Sequence, residues 1–275
     1  MIVEQPLAQR IISLYHLLRA RPNLAPSPVV NALFAELVRC VTDPGESEAA
    51  VLADQQVGRI RPHLLELCAL GEGLLEAHWA RQIIGSPHAA EELGRFPYVE
   101  NYAQLTRLEL HALAASGLDG ALPRRVCFIG GGPLPLTALE LARAGVAVRV
   151  LDKDGPAVDL ACDVVRRLDP EQPVEVVLAD ARRRGDLGPG VEDCEVVIVA
   201  ALVGLTRADK HAVLRSLAAV MPRGARVLMR SAHGLRALLY PVVEVDDVRA
   251  AGFRPCVLVH PFGEVVNSVL VAGRP

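Results

Sequence analysis

The apolar run Val126-Cys127-Phe128-Ile129 breaks into Gly130-Gly131-Gly132 and then Pro133-Leu134-Pro135, ahead of the helix-forming Leu136-Thr137-Ala138-Leu139-Glu140. The run reads as a buried strand and the glycines as a turn that lets backbone approach a ligand. The prolines are tolerated in a first helical turn because their missing N–H costs nothing there. A second apolar run, residues 146–151, ends on Asp152. That acid stands about 20 residues past the glycines, where nucleotide-binding α/β folds hold a ribose. Pro135 occupies the position of the third glycine of a dinucleotide fingerprint, which argues against NAD. A wide glycine turn with a ribose-binding acid suits S-adenosylmethionine, which has no pyrophosphate to cradle. Gly130, Gly131, Gly132, Pro133, Leu134 and Asp152 are therefore candidate contacts for that ligand.

Two further run ends point to the same place. Asp180-Ala181 follows the run at 174–178, and Ala200-Ala201-Leu202 follows the run at 195–199. Ligands of open α/β sheets bind outside the carboxyl ends of the strands, so Asp180, Ala181, Ala200 and Leu202 join the candidate set. Asp180 can accept from the exocyclic amine of adenine; the competing reading is an ordinary turn-capping aspartate.

Upstream, Glu72, Glu76, Trp79 and Ile83 share one helical face. Glu76 then lies between polar and apolar neighbours, conditions that raise a carboxylate's pKa and suit a general base. The alternative is a solvated helix glutamate. Tyr98, Asn101, Tyr102 and Leu105 share another face, placed to bind substrate or to pack as aromatics. Arg230-Ser231-Ala232-His233 follows the run at 226–229. There Arg230 can grip a substrate carboxylate bidentately, and His233 either bonds the acceptor or is a satisfied loop histidine. Arg236 is read as a structural ion-pair residue.

These residues must be positioned by two halves of different period. Up to about residue 118 apolar residues recur at three and four, which predicts helices at 11–18, 30–41, 59–84 and from Pro97 to 113, with Pro62 near a helix start. Beyond Pro123, short apolar runs alternate with helical stretches, and the last two, 256–260 and 265–271, are joined by a short turn. The expected fold is α/β: a mostly parallel, Rossmann-like sheet of the class I methyltransferase type, closed by an antiparallel hairpin, behind an N-terminal all-α domain. The expected division is 1–118 for the helical lid and 119–275 for the nucleotide domain, with Ser116-Gly117-Leu118-Asp119-Gly120 as linker.

Composition bounds the function. The chain has 275 residues, is 51% hydrophobic, and carries a net charge of -3. It has no basic block interleaved with aromatics, so nucleic acid is a poor partner. No run approaches the roughly 20 apolar residues of a membrane span. The six cysteines stand singly, without CxxC or zinc spacing, as in a reducing compartment, and His78, His111 and His260 share no ligand spacing. No metal site and no signal core are read, and the expected location is the cytoplasm. The partner is a small molecule, with a homodimer left open.

Several segments together resemble the nicotianamine synthase family, including its bacterial and archaeal relatives that make opine-type metallophores of the staphylopine and pseudopaline kind. They are residues 130–137, 199–204, 228–236, 240–243, and His260-Pro261 through 265–269. In the helical half, Phe96-Pro97-Tyr98 with Asn101-Tyr102 and Leu108-Glu109 adds to the match. The resemblance implies transfer of the 3-amino-3-carboxypropyl (aminobutyrate) group of S-adenosylmethionine to an amine, with release of 5'-methylthioadenosine. It implies Glu76 as the glutamate beside the reacting amine, Tyr102 as the tyrosine assisting it, and Tyr98 as a substrate contact. Metal is bound by the family's product. The chain's length, without an extended tail, favours a single transfer to an amino acid, histidine, in metallophore biosynthesis. Iterative nicotianamine synthesis is the alternative, and a small-molecule methyltransferase or a non-catalytic S-adenosylmethionine sensor are the other classes.

Overall fold

The computed structural model describes residues 5–43, 48–118 and 122–275, so Asp119-Gly120 of the expected linker lies outside the described residues. Helices α1 (Leu7–Arg19), α2 (Pro28–Thr42), α3 (Glu48–Ala53), α4 (Gln55–Gly85), α5 (Ala89–Gly94) and α6 (Val99–Ala115) come first. Their starts are chemically marked. The Ser27 side chain accepts from the Val30 N–H with Pro28 in the first turn of α2, and the Asp54 carboxylate accepts from the N–H groups of Gln56 and Val57 at the start of α4. The Asp54 cap begins α4 earlier than the apolar period alone shows. Pro62 is consequently inside the helix, not near its start as expected. The short α3 and α5 escape a periodicity reading because six residues hold too few repeats.

The second half runs β1 (Arg125–Ile129), α7 (Leu136–Arg143), β2 (Ala147–Asp152), α8 (Gly155–Leu168), β3 (Val174–Leu178), α9 (Arg184–Val191), β4 (Val196–Val199) and α10 (Arg207–Val220). It continues with β5 (Arg226–Ser231), a 3-10 turn (Gly234–Leu238), α11 (Val245–Ala250), β6 (Arg254–Val259) and β7 (Ser268–Gly273). These seven strands form one sheet in the order β3-β2-β1-β4-β5-β7-β6. The first five are parallel, and β7 inserts antiparallel between β5 and β6. This is the α/β fold expected, with the order reversing between β1 and β4.

Expected strand boundaries move: β7 begins at Ser268 and not at 265, so a longer segment than the expected short turn joins it to β6. Arg230 and Ser231 belong to β5 and do not follow it, because they pair with Val269 and Ser268 of β7. That antiparallel partner extends the strand past Met229, the last residue paired to β4.

Apolar clusters cross residue 118. Leu105, Ala112 and Leu113 of α6 pack with Val126, Phe128 and Ile198 of the sheet. Ala80, Ile83 and Phe96 pack with Leu134, Leu136 and Leu139 just beyond the glycine turn. Burial of this surface, about 25 cal/mol per Å² of apolar area, holds α4 and α6 over the carboxyl edge of the sheet. Among the described residues, no helix is long and apolar enough to cross a membrane.

Candidate active site

A cavity of about 500 Å³ opens at the carboxyl ends of β1, β2, β3 and β4, beneath α4 and α6. Its floor includes Gly130, Gly131, Gly132, Pro133, Leu134, Asp152, Asp180, Ala181, Ala200 and Leu202, all ten residues assigned from sequence to S-adenosylmethionine. The size falls within that of ordinary small-molecule sites.

The glycine turn is shaped by what approaches it. Gly130 (φ 85°) and Gly132 (φ 59°) occupy left-handed backbone that L side chains rarely adopt. A side chain at Gly130 would strike Val203, and one at Gly132 would meet Glu76 Oε2 at 2.5 Å. Only a bare turn lets the α4 carboxylate descend onto the sheet edge. Asp152 Oδ2 accepts from the Gly132 N–H at 2.8 Å and Oδ1 from the Asp154 N–H at 3.0 Å, fastening the end of β2 to the turn. Asp180 lines the cavity and also caps its own turn: it accepts from the Arg182 N–H at 3.0 Å and is gripped by the Arg182 guanidinium. The Arg182 hydrogen bond holds its carboxyl down at about 2. The turn-capping reading of Asp180 is thus present, in a residue that also lines the cavity.

Above the turn lies a cluster of two carboxylates and two phenols. Glu76, only 8% exposed, accepts from Tyr102 Oη at 3.1 Å; Glu72 Oε1 lies 3.3 Å from the same phenol, and Glu72 Oε2 accepts from Tyr240 at 2.9 Å. A phenol has one proton, so Tyr102 can donate to only one carboxylate at a time, and the other contact is satisfied when that carboxyl is itself protonated. Burial, then the neighbouring Glu72, pushes the Glu76 carboxyl well above the usual carboxylate range. Burial raises Glu72 too, against the two phenol hydrogen bonds that lower it. Tyr102 rises well above a normal phenol through burial and then the two glutamates. The pair therefore favours a single negative charge.

Three expectations are corrected. Arg230 lines the cavity, but the carboxylate it grips is the chain's own Glu109, with Nε–Oε1 at 2.6 Å and Nη2–Oε2 at 3.1 Å. Its Nη2 also donates to Thr137 Oγ1 at 2.6 Å. Burial works against this cation, and Glu109 outweighs it, leaving the guanidinium pKa raised. Tyr98 is not on the cavity wall. It sits at the N-cap of α6, one helical turn before Tyr102, whose N–H donates to its carbonyl, and packs edge-on against Phe96, which abuts Trp79. His233 is also outside the wall, because past β5 the chain leaves the sheet edge for the 3-10 turn. Its exposed ring stacks on His260 with centroids 4.1 Å apart. Arg236 donates to the Gly263 carbonyl.

Sequence reasoning missed Tyr240, Glu109, Thr137 and Asn267. The seven-residue spacing of Tyr102 to Glu109 on α6 was a usable signal for Glu109, and Thr137 stands in the first turn of α7, directly after the glycine turn; Tyr240 and Asn267 come from segments outside helices and strands. Among the described residues no group of three or more His, Cys, Asp or Glu side chains is arranged to hold a metal.

A parallel sheet with a glycine turn at its switch point, and buried carboxylates lowered onto that turn by a helical cover, define a Rossmann-like small-molecule enzyme. The particular family follows from comparison: the family model described as nicotianamine synthase protein matches residues 2–275, and the chain belongs to the nicotianamine synthase family. Nicotianamine synthase of Solanum lycopersicum is 37% identical over 272 residues, covering 98% of this chain and 84% of that protein. Nicotianamine synthase 9 of Hordeum vulgare is 37% identical over 275 residues, covering 98% and 79%. Among solved structures, MtNAS in complex with MTA and tNA is similar with a TM-score of 0.81 at 25% identity, over 98% of this chain and 97% of that one. A glutamate-to-glutamine mutant of MtNAS in complex with S-adenosylmethionine gives a TM-score of 0.78 at 26% identity, over 98% of both chains.

Proposed function

We propose that the protein transfers the aminobutyrate group of S-adenosylmethionine to the amine of an amino acid and releases 5'-methylthioadenosine. The observation that carries this reading is Glu76: a buried carboxylate, bonded to Tyr102 and seated on the glycine turn where the donor's amino-acid tail belongs. The nucleotide contacts are Gly130–Gly132, Asp152 for the ribose hydroxyls, and Asp180-Ala181 for adenine, with Ala200 and Leu202 flanking the tail. The relative solved with S-adenosylmethionine supports that donor, and the one solved with MTA supports a nucleoside by-product.

The reaction is a displacement. The acceptor nitrogen forms a bond to the γ carbon, the bond from that carbon to the sulfonium sulfur breaks, and its electron pair stays on sulfur. An ammonium has no free pair, so a proton must leave first, and Glu76 takes it. Its raised pKa matches it to that task, and Tyr102 keeps it oriented. Glu72 and Tyr240 hold the cluster at one negative charge. Enclosure beneath α4 and α6 excludes water, which would otherwise solvate the amine and block in-line approach.

Histidine in a metallophore pathway is the proposed acceptor. The second reading is iterative transfer onto a further S-adenosylmethionine, favoured by the plant nicotianamine synthases among the relatives. Incubation with S-adenosylmethionine and a panel of amino acids, read by mass, tests both. Methylthioadenosine with a singly aminobutyrylated amino acid supports the first, and methylthioadenosine with no added acceptor supports the second. S-adenosylhomocysteine in its place overturns the transfer and returns the chain to methyl transfer.

A further inference from the structure

We infer that the side-chain amide of Asn267 is the group that recognises the acceptor's carboxylate, at the end of the cavity between β5 and β7. The inference rests on the transfer proposed above and deepens it.

Asn267 precedes β7, whose first residue Ser268 pairs with Ser231 at the end of β5. The side chain lines the cavity and is 8% exposed, yet its Nδ2 has no hydrogen-bond partner. An unpaired buried amide is an uncompensated cost in the free protein, so it is expected where a ligand supplies the missing acceptor. The position says which part of the ligand. From Asp152 on β2, the sheet runs through β1, β4 and β5 to β7, four strand spacings or about 19 Å. A donor with its ribose at Asp152 and its tail over the β1 turn leaves the β5–β7 end to the acceptor.

The chemistry there calls for a neutral donor. The Arg230 fork, the obvious carboxylate clamp, is already engaged by Glu109 and Thr137, so an incoming carboxylate finds its positive field but not its free bidentate face. Glu72 and Glu76 repel a second carboxylate on the other side. An amide N–H supplies a directed bond without adding charge that would perturb the base. It also fixes the α-carbon, and thereby the amine, relative to Glu76.

The test uses paired probes that differ only in the carboxylate: L-histidine with histamine, and L-methionine with 3-(methylthio)propylamine. Calorimetric binding to the enzyme loaded with methylthioadenosine should favour the carboxylated member of at least one pair by about 10- to 100-fold, the worth of a hydrogen bond to a charged group. Asn267→Ala and Asn267→Leu should lose most of that preference, with S-adenosylmethionine affinity changed less than about twofold. Asn267→Leu should melt at the same temperature as the parent or higher, since no protein hydrogen bond is lost. The loss should be flat with pH, because an amide does not titrate. A preference retained in both variants, or absent from the parent for both pairs, overturns the inference. The proposed transfer fails separately, by the absence of methylthioadenosine from turnover of the parent.

Discussion

Replacing Glu76 by Gln preserves the volume of the side chain and an oxygen for the Tyr102 hydroxyl, now 3.1 Å away, but removes the ability to take a proton. General base catalysis contributes about 10²- to 10⁴-fold, so turnover should fall by at least about 100-fold, or roughly 2.7 kcal/mol of barrier. Donor affinity should change far less, since the amide still occupies the space above Gly132. The loss should shrink at high pH, where more acceptor arrives deprotonated. Stability should move in the opposite direction. The folded pKa of Glu76 lies above its usual 4.5, so the folded state binds more protons than the unfolded chain across that window. Stability from this group is therefore full below about 4.5 and is lost as pH rises toward the folded value. Glu76→Gln removes that slope and should melt higher than the parent near neutral pH, while matching it more closely in acid. Single-turnover release of methylthioadenosine, with calorimetry and melting curves on the same preparations, measures all three. A variant that forms product at the parent rate near neutral pH removes Glu76 as the base.

Tyr102→Phe deletes the phenol between Glu72 and Glu76; turnover should drop by about 10-fold or more through misorientation of the base, with KM for the donor little changed, and an unchanged kcat would reduce Tyr102 to packing. Asp152→Ala should weaken S-adenosylmethionine binding by about 1 to 3 kcal/mol by leaving ribose hydroxyls and the Gly132 N–H unpaired, and equal affinity by calorimetry would take Asp152 out of the site. Glu109→Gln strands the buried Arg230 cation, with a stability loss of about 3 to 5 kcal/mol expected in denaturant melts; a loss under about 1 kcal/mol would mean that the pair does not hold β5 to α6.

The sheet was legible because its runs are short, apolar and bounded by glycine, proline or acids, and the switch-point rule then placed Gly130, Asp152, Asp180 and Ala200 at one edge before any coordinate. Glu76 and Tyr102 were legible from the residues as members of helical faces, and their meeting, which joins α4 to α6 across 26 residues, only through the family resemblance. Tyr240 stood in a segment that carries the family resemblance but was given no role: it reaches Glu72 from a stretch without periodicity, 168 residues away. Arg230 shows the limit of residue chemistry. A guanidinium at a strand end can grip any carboxylate, and whether that carboxylate is substrate or Glu109 depends on helix-on-sheet packing that no local pattern carries. Tyr98 was legible as an aromatic at the start of α6, and its edge-on packing against Phe96 answers to the aromatic-packing alternative.

The charge around the cavity ties these parts to the chemistry. Among the described lining residues are Glu72, Glu76, Asp152, Asp154, Asp180 and Asp209, against Lys153, Arg182 and Arg230. Two of the three cations are already paired, Arg182 with Asp180 and Arg230 with Glu109. The excess negative field favours a sulfonium donor and an ammonium acceptor over their neutral counterparts, most strongly at the buried end, where screening is weak. Transfer changes that balance. In the proposed step the sulfur becomes a neutral thioether and the proton passes to Glu76, so that reading has the attraction that brought the donor in cancelled as the product is made. Glu109 offsets the Arg230 charge, which still reaches Glu72 and Glu76 and lowers both carboxyls, but against the stronger effect of burial. An unpaired guanidinium there would have stabilised the thioether state and the ionised base alike, and would have worked against both capture of the sulfonium and proton removal.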